Sequence, residues 1–379
     1  MSNPYQNYKF TDQEMLDCLS QGMTLAEIAR KFGVNQSSTT RRKNKLVQEG
    51  LLSLDNTQYA LPAGHQLKGV TYKANNKGEL LPYWVKSKII DDKEQKDNFI
   101  QTVIDAFKAD LPKEPCTKRK SQHVKEDSLI AFPLGDPHIG MMAWHEECGD
   151  DWDLKIAEDV FTKTFGEIID DSPACAQALI VNLGDYFHYD NIEGLTTRSK
   201  NVLDRDGRTL KMFRVGILIA RFIINTALSK HENVSWMNIN GNHDDVLSIA
   251  LGEALRLAYE NNPRVSIISG YSPIQYFQWG ETMIAAHHGH TIKMNKIGAV
   301  IAADQPKMWG DTKHRYCMLG HIHKDSGDTY PGIIVESFST LAAPDSFAAW
   351  HGYGNSVRNQ KAIIYTKDGG ERRRFITNL

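Results

Sequence analysis

Residues Ile239–Asp245 read "INGNHDD" and follow the apolar run "VSWMNIN", Val234–Asn240. The run has the composition of a buried strand. A turn so rich in Asn, His and Asp directly past a buried strand needs either turn chemistry or a ligand. The same pattern recurs in four other places: "PLGDPHIG" (133–140) after "SLIAFPL" (128–134), "NLGDYFHYDN" (182–191) after "QALIVNL" (177–183), "AAHHGHT" (285–291), and "MLGHIHKD" (318–325). Any one of these could be an ordinary surface turn. Five of them, each at the end of an apolar run, predict a shared site outside the carboxyl ends of strands, where α/β sheets collect their ligands.

Working outward, strand-like runs alternate with helical ones from Ser128 onward. "LKIAEDVFTKTFGEIIDD" (154–171), "TLKMFRVGILIARFIINTALSK" (209–230) and "VLSIALGEALRLAYEN" (246–261) carry helical periodicity. "VSIISG", "ETMIAAHH", "RYCMLG", "GIIVESFS" and "KAIIYTKDG" read as strands. The alternation predicts a layered α/β domain over residues 128–379. Residues 65–90 hold two β-rich runs around Asn75-Asn76-Lys77-Gly78, a hairpin signal. "EQKDNFIQTVIDAFKAD" reads as a helix, and the stretch from Leu111 to Asp127, with its prolines and charges, as a linker. The expected division is 1–55, 56–127 and 128–379.

The N-terminal zone has another texture. In "TLAEIARKFGVNQSSTTRRKNKLVQEG" a first helix over Thr24–Phe32 precedes Gly33, which can take a left-handed turn. Val34 can plug a small core, and Asn35 can cap a second helix. The second helix carries Arg41, Arg42, Lys43 and Lys45, and no acidic residue lies between Ile28 and Gln48. This resembles the helix-turn-helix of DNA-binding regulators, which implies a second helix in the major groove and basic residues on phosphates.

Bulk composition constrains the rest. The 379 residues are 41% hydrophobic and 24% charged, with a net charge of −2, so a DNA partner must be met by a local basic face. Residues 1–135 carry 20 Lys and Arg against 16 Asp and Glu, a balance of +4, and the remainder 24 against 30, a balance of −6. The basic end is the one with the helix-turn-helix. Five cysteines form no CxxC pair, which points to a reducing compartment and a cytoplasmic location. The N-terminal residues contain no apolar signal region. The most apolar helix carries Arg214 and Arg221, so it reads as a core helix and no membrane association is expected.

The order Asp-x-His (Asp136, His138), Gly-Asp (Asp185), Gly-Asn-His-Asp (Asn242, His243, Asp244), His-Gly-His (His288, His290) and Gly-His-x-His (His321, His323) resembles the calcineurin-like metallophosphoesterases over about residues 128–345. The resemblance implies a β-sandwich flanked by helices and two divalent metal ions, with a hydroxide bridging them as nucleophile. It implies one ion on Asp136, His138, Asp185 and His323, and the other on Asp185, Asn242, His288 and His321. It also implies that His243 faces the substrate as a general acid and that Asp244 orients a neighbour. Carboxylate, imidazole and amide donors without thiolate suit Mn²⁺ foremost, or Fe²⁺ or Zn²⁺. His188, in Gly-Asp-x-Phe-His, stands where the protein-phosphatase branch has Asp. That departure resembles the SbcD-like DNA exonucleases and implies that His188 helps to position a DNA phosphate. The expected function is a DNA nuclease brought to its substrate by the helix-turn-helix, with a homodimer plausible for a reader of two half-sites. Such an arrangement would suit a phage or mobile-element protein. A nucleotide or phosphomonoester phosphatase with a regulatory N-terminal module, and a DNA-binding protein without activity, are the competing readings.

Overall fold

The computed structural model of the protein describes residues 10–20, 23–48, 65–74, 80–89, 124–196, 200–352 and 357–379. The expected helix at 94–110, the charged linker up to residue 123, Arg198 and Cys116 lie outside the described residues, and the last linker residues, from Lys125, belong to a strand. The chain divides into two compact units, Met1–Asp97 and Asn98–Leu379.

The first unit opens with three helices, α1 (Asp12–Ser20), α2 (Leu25–Phe32) and α3 (Gln36–Gln48). Thr24 and Glu27 form a reciprocal capping box at the start of α2. Gly33 closes it in the left-handed conformation, with φ of 62°. Phe10, Met15 and Leu46 make the small core, with Val34 packed against them. The Thr39 hydroxyl donates to the Leu25 carbonyl and ties α3 to α2. The strands β1 (His65–Ala74) and β2 (Leu80–Ile89) pair antiparallel, as the hairpin signal predicts.

The second unit is a sandwich of two sheets with helices outside both. Its elements in chain order are β3 (Lys125–Leu134), α4 (His145–Cys148), α5 (Leu154–Asp171), β4 (Cys175–Asn182), α6 (Thr209–Lys230), β5 (Asn233–Asn238), α7 (Leu247–Ala258), β6 (Val265–Ile268), β7 (Ile274–Trp279), β8 (Thr282–His287), α8 (Met294–Asp304), α9 (Pro306–Asp311), β9 (His314–Leu319), β10 (Ser326–Tyr330), β11 (Ile333–Ser337), α10 (Ser346–Trp350), β12 (Asn359–Thr366) and β13 (Gly370–Asn378). One sheet runs β13-β12-β3-β4-β5-β6 and the other β10-β11-β9-β8-β7. The neighbours β3, β4, β5 and β6 are parallel in the first, as are β8, β9 and β11 in the second. Their carboxyl ends therefore share an edge in each sheet.

The two-residue period of the strands sorts the side chains. Leu129, Ala131, Leu179, Val181 and Met237 face the other sheet and meet Ile284, Ala286 and Met318. Ile130, Phe132, Ile180 and Trp236 face outward onto Phe161, Phe165, Ile217 and Leu251 of α5, α6 and α7. On the far side Ile297 and Ile301 of α8 cover Met283, Ala285, Cys317 and Val335. Helix α6 is long and apolar enough to cross a membrane, and its buried stripe from Met212 to Leu228 packs into this core. The fold is the helix-flanked sandwich expected from the sequence, joined to an N-terminal helical module. Strands β7 and β10 and helices α8, α9 and α10 are additions to the sequence reading.

Candidate metal centre

Every motif of the sequence pattern lies just past a strand, and together they meet between the two sheets. Asp136 and His138 follow β3, Asp185 follows β4, Asn242 and His243 follow β5, His288 follows β8, and His321 and His323 follow β9. Among the described residues three groups of donors form, each with one donor atom per residue within 4.8 Å of the others: Asp136, His138 and His323; Asp185, His288 and His321; and His138, His188 and His243, of which the first two hold the expected ligands.

The hydrogen bonds state what these groups require. His288 Nδ1 lies 2.9 Å from the Leu183 carbonyl, so it donates there and leaves Nε2 as the lone-pair nitrogen. That Nε2 faces Asn242 Oδ1 at 3.0 Å and Asp185 Oδ2 at 3.1 Å. In the other group His138 Nε2 faces His323 Nε2 at 3.1 Å, and His323 Nε2 lies 3.6 Å from Asp136 Oδ1. Lone pairs converge in both places, and a cation between them satisfies them. A proton on one nitrogen can do this, and so can a metal ion. The donor set of imidazole, carboxylate and amide oxygen fits a divalent transition metal.

Electrostatics agrees. Burial works to lower the pKa of His288, but Asp185 and then Asp136 lift it to about 10. Burial likewise opposes ionisation of Asp185, yet His288 and then His243 hold it well below the usual carboxylate range. His138 moves the other way: burial, then His323, His243 and His188, keep it neutral, as a ligand must be.

The backbone is strained where the donors sit. Among the described residues, the non-glycine positions with positive φ are Asp136, His138, Asp185, Lys200, His321 and His323. All but Lys200 belong to the expected ligand set. Such conformations cost about 1–3 kcal/mol each and persist where the surroundings over-determine them, as at functional sites. Glycines make room for the close approach. A Cβ on Gly241 would stand 2.0 Å from Asp185 Oδ1. Gly184, at φ of 95°, would place a Cβ 2.8 Å from His288 Nδ1.

The residues around this floor divide into two kinds. His243 lines the cleft; its backbone N–H donates to Asp185 Oδ1 at 2.8 Å, and its Nδ1 donates to the His188 carbonyl at 2.8 Å. His188 and Asp244 lie behind it. His188 is 1% exposed, its Nδ1 is 3.2 Å from His138 Nδ1, and burial followed by His243 lowers its pKa to about 3. His188 thus braces His138 through its ring and His243 through its carbonyl. Asp244 accepts from the Gly241 and Phe187 N–H groups and the Ser248 hydroxyl, which fixes the loop that carries His243. His287 accepts from the Gly289 N–H and contacts Thr291 through Nε2, so it shapes the turn. The His290 ring lies 5.2 Å from that of His288 and 6.0 Å from that of His321.

A cavity of about 550 Å³ opens over the site. His138, Asp185, Asn242, His243, His321 and His323 line its floor. Another wall comes from Thr340, Ala342, Ala343, Pro344, Asp345, Phe347 and Ala348, with Lys324 and the Asp150-paired Arg358 also lining the cavity. Sequence reasoning missed this wall. Its one signal is Pro344-Asp345-Ser346, a helix start in which Asp345 Oδ1 accepts from the Ala348 N–H. Arg205 donates to the Ile192 carbonyl, and Arg374 is held by Glu336 and Glu371.

On the N-terminal module, Arg41 is exposed and Lys43 half-buried, and the Lys45 side chain lies outside the described residues. Arg42 departs from expectation. It is paired with Asp12 at 2.5 Å, bonded to the Phe10 carbonyl, and 11% exposed. It clamps α1 to α3.

Residues 14–56 match the IclR helix-turn-helix domain. A helix-turn-helix DNA-binding domain thus stands at the N-terminal end. No curated protein matches the chain. Among solved structures, the chain is similar to a conserved uncharacterized protein (predicted phosphoesterase) from Streptococcus pneumoniae TIGR4, at 12% identity and a TM-score of 0.27, over 67% of this chain and 100% of that one. Vps29 from Chaetomium thermophilum aligns at 14% identity and a TM-score of 0.29, over 66% and 97% of the two chains. Wild-type Vps29 complexed with Zn²⁺ from Entamoeba histolytica aligns at 13% and 0.27, over 66% and 98%. Likenesses this loose carry no argument about chemistry, which rests on the geometry above.

Proposed function

We propose that this chain is a two-metal phosphodiesterase, a DNA nuclease of the SbcD-like kind, which its helix-turn-helix brings to DNA. One observation carries the reading: two clusters of donors, adjoining where His288 Nδ1 lies 3.7 Å from Asp136 Oδ1, converge on the floor of a cleft that His243 also lines. Asp136, His138, Asp185 and His323 would hold one ion, and Asp185, Asn242, His288 and His321 the other. Mn²⁺ suits the donors best, with Fe²⁺ or Zn²⁺ as alternatives. When bound, such a pair neutralises a phosphate and supplies a nucleophile from water near neutral pH.

The chain's own residues do the rest. Asp185 fixes His243 through its backbone N–H, and the His188 carbonyl fixes the ring. His243 is thereby oriented to give a proton to the leaving oxygen. Asn242 adds a neutral donor, which keeps the site from repelling a phosphate. Lys324 supplies positive charge at the cleft wall, while Arg358 is paired with Asp150 and bonded to the Leu341 carbonyl. Arg41, Lys43 and Lys45 would meet DNA phosphates from the second helix of the helix-turn-helix. A homodimer reading two half-sites fits this arrangement.

The test is cleavage of labelled single- and double-stranded DNA with Mn²⁺, beside an Asp185→Ala control. Cleavage that disappears in the control supports the reading. Hydrolysis of a small phosphodiester without cleavage of DNA would retain the metal site and replace the substrate by a nucleotide. No hydrolysis of either would overturn it.

A further inference from the structure

The wall of the cleft that follows β11 differs in kind from the floor. It is formed by Ala342, Ala343, Pro344, Phe347 and Ala348, with Lys324 at its side and Asp345 turned to the Ala348 N–H. Phe347 is 63% exposed although it lines a cavity. Its ring is packed on that of His351 at 4.1 Å between centroids, so one face is backed and held. The helix that carries it, α10, is pinned at both ends. The Ser346 hydroxyl donates to Asp204 Oδ2 at 2.8 Å, and Trp350 Nε1 reaches Glu147 at 3.4 Å. A backed aromatic ring on a pinned helix, lining the same cleft as a set of phosphate-seeking groups, is a fixed platform for a flat partner.

Resting on the reading of the site as a DNA phosphodiesterase, we propose that Phe347 stacks on the base of the nucleotide whose phosphate lies over the Asp185 cluster. The cavity has room for this: about 550 Å³ falls within the roughly 300–1,000 Å³ of pockets that enclose a small molecule. The charge pattern matches the parts of a nucleotide. The donors with Lys324 suit the anionic phosphate, and Phe347 with Pro344 suits the apolar face of a base. A base can reach this ring only when it has left its stack and its partner. The substrate is therefore an unpaired nucleotide, at a single-stranded stretch or a frayed end. Stacking of this kind is tolerant of sequence, because every base has a π-face.

The experiment compares wild type, Phe347→Ala and Phe347→Trp on single-stranded oligonucleotides. One set carries a base at every position and the other an abasic residue at the cleaved nucleotide. Steady-state kinetics with Mn²⁺ is paired with a binding readout in EDTA, the quenching of a 2-aminopurine at that nucleotide. The proposal expects Phe347→Ala to raise KM on the full substrate about 5- to 100-fold with kcat little changed. It also expects that rise to fall to about twofold or less on the abasic substrate, loss of 2-aminopurine quenching in Phe347→Ala, and both signals kept in Phe347→Trp. Because Phe347 is exposed, its truncation does not threaten folding. An active wild type with identical KM and quenching in Phe347→Ala overturns the proposal and leaves the phosphodiesterase reading standing. A wild type that hydrolyses no phosphodiester overturns that reading, and the proposal with it.

Discussion

At the scale of the residue, the site is a problem of proton and metal bookkeeping centred on Asp185 and His288. His288 donates through Nδ1 to Leu183, so Nε2 is committed to the cleft side, where Asp185 and Asn242 wait. In the absence of metal a proton on Nε2 is favoured, with the pKa raised to about 10 against the pull of burial by Asp185. A metal ion must displace that proton. Mn²⁺ binding is therefore expected to release protons and to weaken as pH falls, which calorimetry in buffers of different ionisation enthalpy measures. His243 and His188 separate by role. Removing the His243 ring should lower kcat by about 10²–10⁴-fold with metal content unchanged, as a general acid would. Removing His188 takes away the group behind His138, and should lower metal affinity about 10- to 100-fold, the usual effect of losing a group that orients a ligand. Metal content of the two alanine variants, measured beside kcat, distinguishes them; equal metal loss in both would contradict the division.

At the scale of the element, the parallel strands β3, β4, β5, β8 and β9 deliver their following loops to one place, and the loops then make tight approaches. Gly241, after β5, lies against Asp185, after β4. The Gly241→Ala variant is expected to keep the fold of the sheets and lose most of its Mn²⁺ binding, because a Cβ there would stand 2.0 Å from Asp185 Oδ1. Wild-type affinity in that variant would show that the loop moves without cost. Much of this level was legible in the sequence. Apolar runs of strand length, each followed by Asp, Asn or His, gave both the strands and the clustering of their ends. Strand β10 was not legible, because "SGDTY" is polar and exposed on a sheet edge and offers no buried period. Helix α8 follows β8 with Lys293 at its cap position and no side-chain cap, and α9 follows α8 after a single residue. The left-handed backbone of Asp136, His138, Asp185, His321 and His323 leaves no mark in a single sequence. Arg42 misled for a similar reason: a basic residue on a helix reads as solvent-facing until Asp12 and Phe10 are seen beneath it.

At the scale of the whole molecule, charge and burial each make a prediction. The basic surplus over residues 1–135 lies at the end with the helix-turn-helix, while the rest of the chain is acidic. DNA binding should fall steeply with salt, and neutralising Arg41 and Lys43 together should flatten the slope of log K against log salt by about 2, one for each lost phosphate contact. An unchanged slope would remove them from the interface. Stability should depend on pH through His231, which is fully buried behind β4, with Nδ1 accepting from the Cys175 N–H. Burial, then Lys230, lowers its pKa to about 3 from an ordinary 6.5. A group depressed in the folded state contributes stability above its unfolded pKa and loses it as pH falls toward the folded value. Between pH 7.5 and 5 this amounts to about 2 kcal/mol. Urea unfolding of His231→Gln should show a pH dependence shallower than wild type by that amount.

The central claim is that the cleft floor is a site for two metal ions. The measurement that tests it most directly is a calorimetric titration of Mn²⁺ into chelator-treated full-length protein. The account predicts two ions per chain, with the pair lost in Asp185→Ala; a wild type that takes up no Mn²⁺, or an Asp185→Ala variant that still takes up two, would contradict it.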